Sequence, residues 1–253
     1  MTECIQSLWI GRQLSVMERL SIASFIANGH EYHLYVYEDI ENAPEGTVLK
    51  PADEVLPESM IFQYKKHPSH AGFSNFFRYK LLLREGGWWA DTDVICLKPF
   101  NFEEPYVFAS ERVDSRAVPT SAVIKAPPGS EIMAFNWHLC RGCPDPSDVV
   151  WGEHGPKLMA KAIVKFGLQS WLKDADVFCP FAYHEWEAPL KLRGEVAAFS
   201  EKTHGIHLWN EMWRRGGRDK DASYAPECLY EQLKAVILSR IETMDKLRYR
   251  HSP

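Results

Sequence analysis

Residues 74–100 read SNFFRYKLLLREGGWWADTDVICLKPF, and this stretch decides the fold of the chain. Apolar residues recur at helical spacing over residues 73–85, and Gly86-Gly87 ends the predicted helix because glycine tolerates the backbone that closes one. The motif Asp91-Thr92-Asp93 follows an aromatic pair, and Val94–Leu97 then reads as a buried strand. A helix that turns through an acidic motif into a strand predicts an α/β fold.

The two carboxylates of this motif, Asp91 and Asp93, are costly to hold close together. Each charge raises the pKa of the other unless a cation compensates. Hard divalent ions with oxygen ligands, Mn²⁺ or Mg²⁺, are the usual compensation and are commonly shared with a substrate phosphate. An isolated Asp-x-Asp is more often a solvated turn, but here the preceding glycines let the backbone approach a ligand. The residues therefore predict a metal site.

Strand and helix patterns alternate along the rest of the chain, as in a nucleotide-binding α/β domain. A capping box from Ser15 to Glu18 opens an amphipathic helix that Gly29 closes, and a later helix runs from Pro156 to Gly167. Residues 41–60 are rich in proline and acidic groups and read as a surface excursion. Further buried strands are predicted at Ile5–Ile10, Tyr32–Tyr37, Tyr106–Ala109 and Ala122–Lys125.

The chain has 253 residues, enough to bury a substantial core, and shows no repeat or clear linker. We therefore predict one domain over residues 1–253, with an amphipathic C-terminal helix at about 226–248. The net charge of -5 and the lack of a nucleic-acid motif argue against a nucleic-acid partner. No signal peptide and no apolar run of membrane-spanning length appear, which predicts a cytoplasmic bacterial protein without a transmembrane segment. The basic end of the terminal helix leaves a peripheral contact with the inner face of the membrane open.

Six cysteines suit a reducing compartment, and one pair, Cys140 and Cys143, has CxxC spacing. A structural zinc site would need a second pair of ligands, and none stands at convincing spacing. We therefore predict unpaired thiols at these two positions.

From Ser74 to Asp93 the chain resembles the DXD-containing sugar transferases of the GT-A fold. The family pattern is roughly S-D-x-x-R-Y, a short helix and G-G-x-Y-x-D-x-D; the chain has SNFFRY over 74–79 and GGWWADTD over 86–93. Weaker similarities lie at Ile5–Gly11, like the first strand of the family, and at His207–Asn210, like its late H-x-W-N element. Relatives include fungal outer-chain α-mannosyltransferases, α-1,4-galactosyltransferases and, distantly, the glucosylating clostridial toxins. Asn75 departs from the pattern, because the family usually has Asp there.

The resemblance implies a single-domain GT-A fold, a Rossmann-like central mixed sheet flanked by helices with the DXD motif at the end of a helix-turn-strand. It also implies retaining, metal-dependent transfer of a hexose from a nucleotide sugar to a glycan, glycolipid or other hydroxyl acceptor, in bacterial surface polysaccharide or glycoconjugate synthesis. A UDP-sugar is favoured as donor, and GDP-mannose is the alternative. Two other functions stay open: a non-catalytic nucleotide-sugar or glycan-binding domain, and a metal-dependent nucleotidyltransferase or phosphodiesterase.

The resemblance implies the metal ligands. Asp93 binds the Mn²⁺ or Mg²⁺ ion directly, Asp91 binds the donor or reaches the metal through water, and His207 is the third ligand. The alternative for His207, a strand histidine satisfied by its neighbours, stays open.

The resemblance also implies which residues bind the donor. Trp9 corresponds to a tryptophan that stacks on uracil in the toxins, although simple core burial is an equal alternative. Arg78 corresponds to a residue that contacts the phosphate or sugar of the donor. Because neighbouring residues of a strand point to opposite faces, Trp89 shares a face with Asp91 and is predicted to line the sugar pocket, while Trp88 faces the core. The matched motifs add donor contacts at Gly11, Asn75 and Asn210.

For catalysis, the resemblance assigns Trp209 a hydrogen bond to the leaving phosphate, from an extended segment in which it shares a face with His207. Glu153 is the candidate nucleophilic carboxylate, although a helix-start acid is the simpler interpretation. The basic loop Arg214–Arg218 is either a lid over the diphosphate or a solvated loop.

Overall fold

The structure is a computed structural model, and it describes residues 3–191 and 199–237. Its strands are β1 (Ile5–Trp9), β2 (Tyr32–Val36), β3 (Thr47–Pro51), β4 (Gly87–Ala90), β5 (Val94–Cys96), β6 (Val107–Val113), β7 (Arg116–Ala126) and β8 (Gly205–His207). Its α-helices are α1 (Val16–Ala27), α2 (Ala71–Glu85), α3 (Glu131–Arg141), α4 (Leu158–Lys165), α5 (Ala175–Phe178), α6 (Asn210–Arg215) and α7 (residues 229–237). A π-helical turn occupies Glu153–Lys157, and 3₁₀ turns lie at Ala52–Glu54, Glu58–Met60, Pro146–Asp148, Gln169–Trp171, Tyr183–Glu185 and Ala188–Leu190.

Six strands form one mixed sheet in the order β3-β2-β1-β4-β7-β6. The first four are parallel neighbours, whereas β7 runs antiparallel to both β4 and β6. The carboxyl ends of β1 and β4 therefore lie side by side, the edge where ligands bind in open α/β sheets. This architecture confirms the predicted α/β class with a mixed central sheet flanked by helices.

A second, two-stranded sheet brings the late part of the chain back to the acidic motif. Strands β5 and β8 are antiparallel, and Val94 pairs with His207. Since Val94 follows Asp93 directly, this register places His207 beside the motif, although the two are far apart in sequence.

Helix α2 and the turn after it hold the motif in place. The helix ends as predicted, with Gly86 at φ 64°, a left-handed value that glycine adopts readily. A Cβ at Gly86 would also lie 2.4 Å from the backbone nitrogen of Pro128, so a larger residue has no room. The following residues, Trp88 and Trp89, are both fully buried and belong to different apolar clusters on the two faces of the sheet.

Three sequence predictions need correction. Residues 41–60 are not only a surface excursion, because Thr47–Pro51 forms the half-buried edge strand β3, in parallel register with β2. The two short strands predicted at 106–109 and 122–125 belong to a long hairpin of β6 and β7. Its turn, Asp114-Ser115, has φ values of 46° and 64° without any glycine. The helix predicted from Pro156 begins at Leu158, after the π-helical turn.

Some sequence predictions concern residues that lie partly outside the described ranges. Residues 229–237 are helical, but the rest of the predicted terminal helix, with its basic end, lies outside the described residues, and the one-domain boundary stays a prediction. Within residues 3–191 and 199–237, no helix has both the length and the apolar character that a membrane crossing requires. Cys140 and Cys143 are unpaired, as predicted.

Candidate functional site

Asp91, Asp93 and His207 come together at the carboxyl end of β4. Each offers one ligand atom, and these atoms all lie within 4.8 Å of one another. Backbone hydrogen bonds fix the motif: the Asp91 N–H donates to Ala122 on β7, and the Leu208 N–H donates to the carbonyl of Asp93. The predicted trio is therefore one cluster, held by the main sheet on one side and by β8 on the other.

Asp93 is the more buried of the two carboxylates. Its Oδ2 accepts a hydrogen bond of 2.7 Å from the backbone N–H of Asn210 and lies 3.3 Å from Nε2 of His207. Asn210 thus reaches the site through its main chain, at the start of α6.

Asp91 is held from the opposite side by α2 and β4. Its Oδ1 accepts a hydrogen bond of 2.8 Å from the indole N–H of Trp89 and lies 3.0 Å from Nη2 of Arg78. About a quarter of its side chain remains exposed, so Asp91 is the most accessible member of the cluster.

Arg78 is 3% exposed and lies within the protein rather than in an open cleft. Its guanidinium donates to the side chain of Ser74 and to the carbonyl of Ser121, and it lies 4.8 Å from the centre of the Trp89 ring. A buried guanidinium with this many partners fixes the orientation of Asp91. A direct contact between Arg78 and the donor stays a prediction.

The charges of the cluster are strongly coupled. Burial raises the pKa of Asp91 against the opposing effect of Arg78, and the nearby charge of Asp93 raises it further. Burial would also raise the pKa of Asp93, but His207 and the Asn210 N–H hold that pKa below its usual range. For His207, burial alone would lower the pKa, yet the Asp93 carboxylate raises it well above its usual value. The Asp93 carboxylate therefore favours the protonated form of His207.

The donor set fits a divalent ion such as Mn²⁺. Two carboxylates and one imidazole converge, Asp93 and His207 are nearly buried, and the repulsion between the carboxylates is the kind that a cation relieves. The other ring nitrogen of His207, Nδ1, lies 4.0 Å from Sγ of Cys179, a contact that orients the ring. Cys179 is one functional neighbour that the sequence did not indicate.

Trp209 lies beside the cluster, with its ring centroid 4.0 Å from that of His207. The prediction that it belongs to an extended segment is wrong, because its backbone is left-handed, with φ 59° and ψ 52°. That turn lets α6 begin at once and aims the Asn210 N–H at Asp93. The indole N–H of Trp209 donates to the carbonyl of Phe181 at 2.9 Å.

Trp9 ends β1 at the same edge of the sheet and is half-buried. Its indole N–H donates to the carbonyl of Gln13, and Nζ of Lys220 lies 5.9 Å from its ring. Gly11 has φ 123°, and a Cβ there would approach Nε1 of Trp9 to 3.7 Å. The chain thus turns sharply past the indole, which keeps part of the ring accessible.

Two predicted donor contacts are less accessible than expected. Trp89 is only 1% exposed, and its indole N–H donates to Asp91. Asn75 is 6% exposed, and its Oδ1 accepts a hydrogen bond from Ser121. A donor-binding role for either residue stays a prediction.

Among the described residues, Glu153 and the basic segment form their ion pairs with residues outside the cluster. Glu153 is exposed, pairs with Lys157 at 3.3 Å and lines a separate cavity of about 250 Å³. Arg214 and Arg215 end α6 and pair with Glu211, while Arg218 pairs with Glu187. The guanidinium of Arg215 also stacks 4.6 Å from the ring of Trp151, which precedes the π-helical turn.

Part of the chain is similar in sequence to known glycosyltransferases. Residues 16–113 match the family model of the glycosyltransferase sugar-binding region containing the DXD motif. The human alpha-1,4-N-acetylglucosaminyltransferase is 24% identical over 198 residues, covering 69% of this chain and 56% of that protein. The chain therefore spans about half the length of that relative.

Among solved structures, PaToxG glycosyltransferase is similar at a TM-score of 0.48 and 17% identity, over 67% of this chain and 72% of that chain. A second structure, described as a transferase, gives a TM-score of 0.43 at 11% identity, over 71% of this chain and 89% of the other.

Proposed function

We propose that this chain is a DXD-containing glycosyltransferase that transfers a hexose from a nucleotide sugar to a hydroxyl acceptor, and the match of residues 16–113 to the sugar-binding region of that family supports the proposal. The observation that carries the proposal is the convergence of Asp91, Asp93 and His207 within 4.8 Å, next to the partly accessible Trp9 edge of the sheet. A buried acidic pair with an imidazole at this edge suits a metal that is shared with a diphosphate.

Asp93 and His207 would hold the metal directly, and Asp91, the more exposed carboxylate, would share it or bind the donor. A bound Mn²⁺ or Mg²⁺ supplies positive charge against the diphosphate as the glycosidic bond breaks. Arg78 aims Asp91 and opposes the rise in its pKa, and the Asn210 N–H aims Asp93 and helps to lower its pKa. These residues fix the electrostatic field before the donor arrives, which is how such sites lower a barrier.

A UDP-sugar is our first choice of donor. A flat uracil ring fits against Trp9, whose neighbour Gly11 leaves room beside the indole. GDP-mannose is the second choice. We further propose retention of configuration, as in the resembling families, with a glycan or glycolipid acceptor in the synthesis of a surface polysaccharide or glycoconjugate.

Donor screening tests the proposal. UDP- and GDP-sugars are scored first for Mn²⁺-dependent thermal stabilisation, since a ligand that binds only the folded state raises the melting temperature. Positive donors are then assayed for release of nucleoside diphosphate, with the Asp93→Asn variant as the inactive reference. No stabilisation and no release with any of these donors would refute the proposal.

One observation favours a binding protein without turnover. Asn75 stands where the family usually has a charged Asp, and its side chain is held by Ser121. Stabilisation by a nucleotide sugar without any release of diphosphate is the result that this alternative predicts. Release of nucleoside monophosphate would instead indicate a nucleotidyltransferase or phosphodiesterase.

A further inference from the structure

Glu111 is a buried carboxylate that the proposed site does not yet use. It lies on β6, just beyond a β-bulge between Phe108 and Ser110, and is 8% exposed. Bulges redirect the side chains that follow them, and they are common beside active sites. The sequence pattern around Glu111 gave no sign that this acid would face inward.

A short segment, residues 179–183, joins Glu111 to the DXD cluster. Its first residue, Cys179, contacts His207, and the carbonyl of Phe181 accepts the indole N–H of Trp209. The N–H of Tyr183, at its end, donates to Oε2 of Glu111 at 3.4 Å. Glu111 therefore lies one short segment from the residues that would surround the leaving diphosphate.

The environment of Glu111 gives its carboxylate little compensation. Among the described residues no cationic side chain forms an ion pair with it, and the hydrogen bond from Tyr183 is long. Burial raises the pKa of Glu111, and the more distant charge of His207 only partly opposes this. Buried carboxylates are ordinarily paired, because an unpaired one destabilises the fold. An exception next to a candidate active site indicates a functional role.

We propose that Glu111 is a catalytic carboxylate that faces the donor sugar. As the bond from the sugar to the diphosphate breaks, positive charge develops on the ring, as in glycoside hydrolysis. A carboxylate fixed nearby in a dry environment stabilises that charge more than it stabilises the ground state. This inference rests on the proposed transfer reaction and replaces Glu153 as the acidic residue of the site.

The Glu111→Gln variant tests the role, because it keeps the shape and removes the charge. With the best UDP- or GDP-sugar and Mn²⁺, we expect kcat to fall about 100- to 1,000-fold, the scale of losing one transition-state contact, while donor KM changes much less. The melting temperature should stay the same or rise, since an uncompensated buried charge has been removed. Glu104→Gln is the matched control, because Glu104 lies just before β6 and pairs with Lys173 at 2.6 Å. Its kcat should match that of the wild type.

Glu111→Asp completes the test, because it restores the charge on a shorter side chain and should recover part of kcat. Wild-type kcat in Glu111→Gln would overturn the role of Glu111 alone. Loss of kcat together with a lower melting temperature, not relieved in Glu111→Asp, would assign Glu111 to structure instead and would also overturn it. A wild-type protein without turnover on any donor would contradict the proposed function itself, and this measurement comes first.

Discussion

The guanidinium of Arg78, which is buried, forms an ion pair with the partly exposed carboxylate of Asp91, with Nη2 and Oδ1 3.0 Å apart. Helix α2 and the DXD motif are thereby joined through side chains as well as through the chain between them. Arg78 thus orients Asp91, and we expect it to act on the donor through that aspartate. Removing Arg78 should therefore lower the stability of the protein as well as the rate of the reaction.

Replacing Arg78 with Met should destabilise the protein by up to about 3–5 kcal/mol, because the change leaves the largely buried Asp91 charge without its partner. Urea unfolding measures this loss. Adding Asp91→Asn in the same chain should recover part of the stability, since the unpaired charge disappears. Arg84→Met is the control: Arg84 pairs with Glu85 at the surface, where such pairs contribute less than about 1 kcal/mol. Equal losses of stability in Arg78→Met and Arg84→Met would contradict a stabilising role for the Arg78–Asp91 ion pair.

Asp93→Asn should abolish Mn²⁺-dependent turnover with little loss of fold. The amide oxygen can still accept the Asn210 N–H, but it lacks the charge that a hard divalent ion requires. Mn²⁺ titration by calorimetry should show affinity at least about 10-fold weaker, the lower end of what metal-site changes produce. The exposed Asp148→Asn should bind as the wild type does. Wild-type Mn²⁺ affinity in Asp93→Asn would remove this carboxylate from the metal site.

Trp209→Phe keeps the ring and removes the indole N–H. If that N–H turns from Phe181 to the leaving phosphate during the reaction, kcat should fall about 10- to 1,000-fold, up to the loss of one oxyanion-type donor, with a smaller change in donor KM. If the N–H only holds Phe181, stability should fall by about 0.5–1.5 kcal/mol and kcat should stay unchanged. Steady-state kinetics and urea unfolding of the same variant distinguish the two roles. We expect the loss of kcat that a hydrogen bond to the leaving phosphate predicts.

Arg215→Ala should weaken the contact between α6 and the loop before the π-helical turn. An exposed cation–π contact contributes about 0.5–1 kcal/mol, so donor affinity should fall about twofold to fivefold if closing this contact accompanies donor binding. Arg214→Ala is a close control, because Arg214 shares the partner Glu211 and no contact with Trp151 is recorded for it. Donor titration checks both variants, and equal affinities would show that the contact plays no part in binding.

His30 should contribute to acid sensitivity. Its Nε2 accepts the Phe100 N–H and its Nδ1 donates to Glu3, so the folded protein holds the neutral ring, and burial lowers the pKa of His30. As pH falls below about 6.5, the unfolded state binds a proton that the folded state does not, and stability decreases until the pH passes the folded-state pKa.

Urea unfolding between pH 7 and pH 5 tests this sign. The stability advantage of the wild type over His30→Gln should shrink as the pH falls, whereas the difference between the wild type and the exposed His138→Gln should stay constant. A wild-type advantage over His30→Gln that is independent of pH would contradict the assignment.

The sequence predicted the members of the acidic cluster because they belong to compact motifs. Asp91 and Asp93 lie two residues apart between a helix stop and a strand, and His207 belongs to a second motif of the resembling family. The pairing of β5 with β8 then brings the two motifs together. Short-range spacing indicated the two aspartates, whereas His207 was predicted from the resemblance to the family.

The sequence could not predict features that depend on long-range packing. Arg78 occupies a helical position that is usually solvated, and only the positions of Trp89 and Ser121 bury it. Trp209 adopts a left-handed backbone that is uncommon for a bulky residue, so its local sequence predicts an extended segment. Glu111 is buried just after a β-bulge, and the residue types of β6 do not predict that bulge.

The antiparallel return of β8 also sets an order of events during synthesis. All six strands of the main sheet are available once the ribosome has released residue 126, so Asp91 and Asp93 can already stand side by side at its edge. His207, the cation that compensates Asp93, is added only with residues 205–207. Between these two points Arg78 can already pair with Asp91, but Asp93 lacks its partner, and we expect divalent ions in the medium to favour folding of this intermediate.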